Sequence, residues 1–280
     1  MRRLKKLTLQ DLLLAVPALV TAIFLRVLRP IVTIRFRNLP ADEIGPLTVV
    51  SQHYLRIKET QQKKRQIDFW YLKDSVKVSN DYMLNFVKSQ IKVHRSRFIE
   101  LVAAISEELP GAQHHQIESE IRITLLEGVG RKLKLPQKDC DSSSEYVKKI
   151  GIDPQKEFIA LMVRDGAYKS DIVQANTQLR TDKEIYRNQD INDYLQVAEK
   201  FASMNVQIVR MGAKVERQFT SNSPLIIDYA STGMRTEAAD IYLASECAMC
   251  ISTNLGFDHI AAMSGKLRVI TNQALIIQAS

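Results

Sequence analysis

Short apolar runs alternate with helix-spaced apolar residues through the second half of the chain, and this alternation constrains the fold more than any other feature. Each run has the length of a buried strand, and a helical stripe separates most of them. Strands that alternate with helices form a parallel sheet with crossover connections. The predicted strands are 158–163, 206–209, 225–227, 249–252 and 267–270, and the predicted helices cover 191–202, 240–245 and 257–264.

The first half shows a similar pattern with less regular spacing. Its apolar runs predict strands, the second of them after a glycine turn, and longer segments show helical spacing broken at Pro110-Gly111. His114-His115 is predicted to begin a surface helix. The predicted strands are 31–36, 44–50 and 68–72, and the predicted helical segments are 80–110 and 115–127.

A polar, serine-containing segment at 136–146 separates the two halves and is predicted to be a linker. At 280 residues the chain has room for two modest domains. The predicted organisation is a leader at 1–29, an N-terminal α/β domain at 30–135, a linker at 136–150 and a C-terminal parallel α/β domain at 151–280.

The leader contains an uninterrupted apolar run at 12–25 with basic residues on both sides. A membrane-spanning helix needs about 20 apolar residues, so this run is short. Three alternatives stay open: an interfacial anchor, a buried core helix, and a signal peptide or span. An anchor with flanking Lys and Arg would lie on an anionic cytoplasmic leaflet. The predicted location is therefore cytoplasmic, peripheral to the inner membrane.

The formal net charge of +8 attracts nucleic acid, anionic lipid and phosphorylated substrates alike. Aromatic residues are dispersed and no nucleic-acid motif is present, so we expect no nucleic-acid partner. Cys247 and Cys250 have metal or redox spacing, but a structural zinc site needs four ligands and the chain has no second pair. We predict two small buried side chains there, and no bound metal or cofactor. Motifs of serine hydrolases and metalloproteases do not occur.

The most informative polar residues follow the predicted strands of the second half. Ligands of open parallel sheets bind at the carboxyl ends of the strands. Arg164 and Arg210 offer forked donors to phosphate oxygens, and the turn at 252–256 precedes a helix whose free N–H groups favour an anion. A phosphate-bearing ligand is one interpretation. The other interpretation is that the arginines are solvated, the glycines form turns and Asp228 caps a helix.

Ordered segments of the chain resemble a family of bacterial glycosyltransferases from surface-polysaccharide biosynthesis. The similarity is strong over 157–273 and weaker over 26–55 and 68–125. Several ordered blocks are more specific than one short motif. The segments are LLRPIVTIRFRNLPADEIGPL, FIALMVRDGAY, IYRNQDINDYL, VQIVRMG, LIIDYASTGMRTEAADIYLASE and CISTNLGFDHIAAMSGKLRVITN.

The resemblance implies an α/β, GT-B-like fold, in which two Rossmann-like halves with parallel sheets face each other across a cleft. The donor would bind mostly to the C-terminal half and the acceptor mostly to the N-terminal half. Arginines would neutralise the leaving nucleoside diphosphate without a metal. The implied donor-site residues are Arg164, Asp165, Tyr168, Arg187, Asn188, Arg210, Gly212, Ser252, Thr253 and Gly256.

The chain departs from the family pattern at two points. Pro46 stands where the family commonly has a histidine after its Ile-Gly turn. Asp42, Glu43 and His53 are the nearby substitutes, and the catalytic base is left open. The sequence also stops soon after a late strand, so the C-terminal half is expected to be incomplete.

The predicted function is transfer of a sugar from a nucleotide-sugar to a lipid-linked or polysaccharide acceptor at the cytoplasmic membrane face. The alternative is a truncated, non-catalytic member that still binds nucleotide. The nucleotide-sugar is a substrate in the first case, so no cofactor is expected.

Overall fold

The computed structural model describes residues 9–60, 65–118, 131–167 and 188–272 of the chain. The polypeptide divides into two compact units, Met1–Leu126 and Glu127–Ser280. Each unit contains a parallel sheet with helices, as the alternation of strands and helices predicts. The helices and strands are numbered below along the described residues.

The first unit is built on a sheet of three parallel strands in the order β1-β2-β3. A single parallel bridge from Phe36 to Gln116 extends this sheet beside β1. The predicted strands at 31–36 and 68–72 are confirmed with small shifts of their ends. The strands are β1 (Thr33–Asn38), β2 (Gln66–Tyr71) and β3 (Val93–His94), and the helices are α1 (Leu9–Leu28), α2 (Ile44–Thr60), α3 (Asp81–Lys88) and α4 (Arg97–Glu108).

The helical segment predicted at 80–110 is two helices, because side-chain caps start each one separately. Asn80 accepts a hydrogen bond from the backbone N–H of Met83, and Ser96 accepts one from that of Ile99. Such caps satisfy N–H groups that the first helical turn leaves unpaired. The short strand β3 lies between the two helices.

The strand predicted at 44–50 is wrong, since these residues begin the long helix α2. Pro46 is tolerated there because it lies in the first turn, where its missing N–H has no helical partner. The hydroxyls of Thr48 and Ser51 bond back to the carbonyls of Ile44 and Leu47. Most residues in the first three turns of α2 are buried. The helix therefore has no exposed face there that would interrupt the apolar run with polar residues.

The prediction that His114-His115 begins a surface helix is also wrong for His115. The residues form a short 3-10 turn, Ala112–His115, and His115 is 2% exposed. Its Nδ1 lies 2.7 Å from the carbonyl oxygen of Ile34 in β1. Burial is the main reason why the pKa of His115 is lowered, so the imidazole is neutral near pH 7.

The leader forms α1, which packs against α4 through its small side chains. Ala18 and Ala22 are fully buried, and Leu25 continues the same face. None of the helices in the described ranges is both long enough and apolar enough to cross a membrane.

The second unit contains five parallel strands in the order β6-β5-β4-β7-β8. All five predicted strands of this half are confirmed, and two of them match to the residue. The strands are β4 (Phe158–Met162), β5 (Gln207–Met211), β6 (Ile226–Ile227), β7 (Met249–Ser252) and β8 (Leu267–Ile270), and the helices are α5 (Gln137–Lys148), α6 (Leu195–Ser203), α7 (Glu237–Glu246) and α8 (His259–Met263).

The segment predicted to be a linker, 136–146, is mostly helical, since α5 occupies it and packs against α7. Ser143 and Val147 are spaced i, i+4 and are buried on one face. Ser142 is exposed and bonds back to the carbonyl of Lys138, whereas Ser144 is half-buried and its hydroxyl is hydrogen-bonded to Tyr242 of α7. The division between the compact units falls earlier, after Leu126.

Candidate functional site

The strand order of the second unit places its binding edge between β4 and β7. The chain builds the sheet outward from β4 through β5 to β6, and then returns to add β7 and β8 on the other side. Ligands of open parallel sheets bind at the carboxyl ends of the strands, at the point where this direction reverses. The loops after β4 and β7 therefore frame the candidate site.

These two loops are joined by direct hydrogen bonds. The hydroxyl of Thr253 accepts from the backbone N–H of Arg164 at 3.0 Å, and the N–H of Thr253 donates to the carbonyl of Met162 at 3.1 Å. Thr253 is fully buried, whereas Arg164 is half-buried. The structure thus brings two predicted site residues together at the reversal point, with the Arg164 side chain partly accessible.

Arg210 occupies the centre of the neighbouring loops rather than their surface. Its side chain is fully buried at the end of β5. Nη1 donates to the carbonyl of Arg217 at 2.7 Å and lies 3.2 Å from Asp228, while Nη2 lies 3.5 Å from Asp165. One guanidinium therefore connects the loops that follow β4, β5 and β6.

The two carboxylates around Arg210 also accept hydrogen bonds from the backbone. Asp165 accepts from the N–H groups of Ala167 and Glu216, the latter at 2.7 Å. Asp228 accepts from the N–H of Phe219 at 2.8 Å. Charge-assisted bonds of this kind are about twice as strong as neutral ones, so the three loops form one cross-linked cluster.

This arrangement assigns Arg210 a positioning role in the structure. Its Nη1 is occupied by protein acceptors, whereas neither its Nε nor its Nη2 has a hydrogen-bond partner among the described residues. Direct binding of a diphosphate by Arg210 stays a prediction. A helix cap was one of the two interpretations of Asp228. Its side chain makes no cap hydrogen bond to the 3-10 turn that follows, and its carboxylate contacts Arg210 and the Phe219 amide instead.

Two glycines let the backbone pass closely at this edge. Gly166 has a φ of +92°, and a Cβ there would lie 2.8 Å from the side-chain nitrogen Nδ2 of Asn188. A Cβ on Gly212 would lie 2.7 Å from Cγ1 of Val215. Both positions favour glycine for space, and Gly166 also for its backbone conformation.

Asn188 lies beside the loop that follows β4. Its Oδ1 is buried without a hydrogen-bond partner in the described part of the chain, and the next residue, Gln189, donates its backbone N–H to the carbonyl of Arg164. The hydroxyl of Tyr194 contacts Gln189 and Thr271. Tyr168 and Arg187, the other predicted donor-site residues of this region, lie outside the described residues.

A second polar cluster lies at the end of β7. Ser252 donates to the buried carboxylate of Asp258 at 2.7 Å. Asp258 also contacts Nδ1 of His259 at 2.9 Å and Nη1 of Arg268 at 3.2 Å. The sequence analysis predicted Ser252 but missed these three partners. The Asp258-His259 dipeptide at the start of a predicted helix was the available signal.

The left-handed position of the predicted turn at 252–256 is Asn254 and not Gly256. Asn254 has a φ of +61°, which is the left-handed region that asparagine tolerates. Gly256 is exposed, its φ is not positive, and it starts the 3-10 turn Gly256–Asp258. The predicted single helix at 257–264 is this turn followed by the five-residue α8.

The three candidate bases lie in the first unit. Asp42 and Glu43 are exposed in the turn between β1 and α2, just beyond the carboxyl end of β1. His53 lies within α2 and is 6% exposed. Burial and the positive charges of Arg56 and Arg37 lower the pKa of His53, so its imidazole is neutral near pH 7.

A polar cluster in the same unit escaped the sequence analysis. Arg35 forms a forked pair with Asp68 at 2.7 and 2.9 Å, and Asp68 also accepts from the hydroxyl of Tyr54. Burial and the Asp68 carboxylate raise the pKa of Tyr54 to about 12. The Tyr54 ring packs edge-on against Trp70 at 4.9 Å between centroids. The partners are far apart in sequence, so no local pattern marked the cluster.

Cys247 and Cys250 are both fully buried and unbridged. Burial is the largest cause that raises the pKa of Cys247 to about 12 and that of Cys250 further. The Sγ of Cys250 lies 3.6 Å from Sδ of Met162 in the sheet core. The prediction of two small buried side chains is confirmed.

The E. coli ADP-heptose LPS heptosyltransferase II superposes with a TM-score of 0.51 at 9% sequence identity, covering 85% of this chain and 84% of that one. The chain has a GT-B-like fold. The predicted fold class, two halves with parallel sheets, is confirmed at the level of architecture.

A glycosyl transferase family 9 protein from Veillonella parvula also matches this GT-B-like chain, with a TM-score of 0.48 and 10% identity over 86% of this chain and 81% of that one. Neither protein-family profiles nor curated protein sequences match the chain. At these identities the structural likeness establishes the fold, and function has to be argued from the site.

Proposed function

We propose that the protein is a glycosyltransferase that uses a nucleotide-sugar donor. The observation that carries the proposal is the polar edge of the second unit, at the reversal of strand order between β4 and β7. The fold supports it, because the similar heptosyltransferase II takes its name from ADP-heptose, a nucleotide-sugar. The donor of this chain would bind at the loops after β4 and β7.

The proposed chemistry is displacement of a nucleoside diphosphate from the anomeric carbon of the sugar by an acceptor hydroxyl. Negative charge develops on the leaving diphosphate, and preorganised donors lower the barrier. Arg164 is the candidate cation, since its side chain is half-buried at the reversal point. Arg187 is the second, on the family resemblance. With these cations we expect the reaction to need no metal ion.

The acceptor hydroxyl must lose a proton, and we propose that a carboxylate of the first unit receives it. A general base must come within hydrogen-bond reach of the proton it abstracts. Asp42 and Glu43 are exposed in the turn four and five residues after the end of β1, whereas His53 is buried within α2. We therefore favour Asp42 or Glu43 over His53. The acceptor is proposed to be a lipid-linked or polysaccharide glycan at the cytoplasmic membrane face.

The first experiment is a thermal-shift panel of UDP-, GDP-, ADP- and CMP-linked sugars against the purified chain. A ligand that binds only the folded state at 100 times its Kd adds about 2.7 kcal/mol of stability. We expect one nucleotide class to raise the melting temperature. Arg164→Ala should abolish that rise, while the control Lys156→Ala should keep it, because Lys156 is exposed at the amino end of β4.

Release of the free nucleotide from the stabilising nucleotide-sugar, with an added lipid-linked glycan, then tests turnover: a nucleoside diphosphate from UDP-, GDP- or ADP-sugars, and CMP from CMP-sugars. Donor binding with turnover that Asp42→Asn or Glu43→Gln removes would support the full proposal. Donor binding without turnover would favour the non-catalytic, nucleotide-binding alternative. A folded sample that no nucleotide-sugar stabilises would refute the donor site.

A further inference from the structure

Helix α1 is apolar on two opposite faces, and among the described residues of the first unit only one of these faces is packed. The inward face packs through small residues on a cluster that includes residues of β1, β2 and α4. Arg26 strengthens this attachment, since its guanidinium donates to the carbonyls of Ser106 and Pro110. The helix is therefore fixed to the unit along one side. The inward residues are Ala18, Ala22 and Leu25.

The outward face of α1 is a continuous apolar stripe without a charged residue. Val16, Val20 and Val27 are 62–70% exposed and follow the helical repeat. At 1.5 Å per residue the stripe is about 21 Å long between Leu13 and Val27. A contiguous exposed stripe of this size marks an interaction surface. The outward residues, here called the α1 stripe, are Leu12, Leu13, Val16, Leu19, Val20, Ile23, Phe24 and Val27.

The positive charge of the protein is concentrated on the same segment. Residues 1–29 contain six Lys and Arg and one acidic residue, Asp11, whereas residues 30–280 contain 33 basic and 30 acidic residues. More than half of the net charge of +8 thus belongs to the segment that carries α1. Arg29 is exposed directly after the helix, and four basic residues precede it: Arg2, Arg3, Lys5 and Lys6.

We propose that the α1 stripe docks the protein on an anionic phospholipid surface. The stripe enters the boundary between headgroups and acyl chains, and the flanking Lys and Arg contact lipid phosphates. The helix lies along the surface and does not cross it, because its other face is packed on the protein. This places the first unit at the membrane without requiring any property of the donor site.

Charge argues for lipid over a second copy of the chain. In a symmetric dimer through the α1 stripe, each basic segment would meet its own counterpart, and like charges repel. An anionic bilayer instead neutralises the segment and covers the apolar stripe at once. The two observations, stripe and charge, therefore select the same occupant.

The test is sedimentation of the full chain with vesicles of phosphatidylcholine, with or without phosphatidylglycerol, in the absence of nucleotide-sugar. We expect binding to the phosphatidylglycerol vesicles that is at least about ten-fold weaker on phosphatidylcholine alone and falls as salt is raised. The double variant Val16→Gln/Val20→Gln should lose at least about ten-fold in affinity, since each substitution places an amide in the apolar layer. Gln favours helix more than Val, so α1 should persist.

The matched control is Met204→Gln, which changes an apolar side chain of 60% exposure in the second unit and should bind vesicles like the wild type. Val27→Gln is the second α1 variant if the double variant does not fold by circular dichroism. Equal binding by wild type and both α1 variants would overturn the proposal, as would no binding by the wild type. A wild-type dimer in sedimentation velocity that the double variant dissociates, without vesicle binding, would show a subunit interface instead.

Discussion

The buried ion cluster around Arg210 makes the sharpest prediction about stability. We compare Arg210→Met with Arg217→Met, which removes a cation from another Asp-Arg pair of the same unit. The Arg217–Asp190 pair is the shorter one, at 2.6 Å against 3.2 Å for Arg210–Asp228. Its side chains are 67% and 37% exposed, whereas Arg210 is fully buried and Asp228 is 12% exposed. If distance controlled the strength of these pairs, Arg217→Met would be the more destabilising variant. If burial controls it, Arg210→Met would be.

Burial should decide the result. Removing one partner of a buried pair costs about 3–5 kcal/mol, because it leaves an uncompensated charge in a poorly solvated place. Asp165 and Asp228 keep backbone N–H donors, so we expect the lower end, about 3 kcal/mol, for Arg210→Met. Methionine retains most of the apolar stem, which limits the cavity. An exposed pair contributes about 0–1 kcal/mol, which is our expectation for Arg217→Met.

Urea denaturation followed by far-UV circular dichroism measures both variants, with the slope of the transition checked against the wild type. In thermal melts about 3 kcal/mol corresponds to a drop of roughly 6–12 °C for a unit of about 150 residues. Equal losses in the two variants, or a larger loss for Arg217→Met, would refute the argument that burial controls the strength of these pairs.

Three further predictions concern the second unit. Gly166→Ala should destabilise the protein more than Gly151→Ala and should also abolish stabilisation by the donor. Both glycines have φ near +90°, but only at Gly166 would an added Cβ lie within 2.8 Å of another atom. Equal melting temperatures of the two variants would contradict this steric argument. Burial raises the pKa of Asp240 from 3.8 to about 7, so the folded state holds this proton more tightly than the unfolded state. The stability of the wild type should therefore fall relative to that of Asp240→Asn as pH rises from about 4 to 7. Urea midpoints of the two proteins that run parallel across that range would contradict the raised pKa. Ser252→Ala removes a buried bond to the Asp258 carboxylate and should cost about 1.5–3 kcal/mol by the same urea assay, whereas a loss below about 0.5 kcal/mol would mean that the bond is replaced.

The inner strands of the second sheet were predictable because they are buried on both faces: every residue of β4 and β5 and most of β7 is buried. Such strands are continuous apolar runs. The edge strand β8 also matches its predicted bounds, although its Leu267 and Val269 are exposed. The same rule failed at α2, where a helix buried on most sides also produces a continuous apolar run. It failed in the opposite direction at α5, where only Ser143 and Val147 are buried and the polar composition hid the helix. The local pattern of apolar residues indicates which residues are buried, and burial alone does not distinguish a strand from a helix that is covered on all sides.

For the candidate site, the sequence by itself determined which strand ends carry Arg164, Arg210, Ser252 and Thr253, because parallel strands share one carboxyl edge. Only the tertiary structure decided what each side chain does there. Arg210 is turned inward because Asp165 and Asp228 arrive from other loops, 45 and 18 residues away along the chain. The apolar leader was likewise evident from the sequence, but its division into a packed face and the α1 stripe required α4. Partners that are distant in sequence leave no local pattern, and they decide whether a charged or apolar side chain faces the core or the solvent.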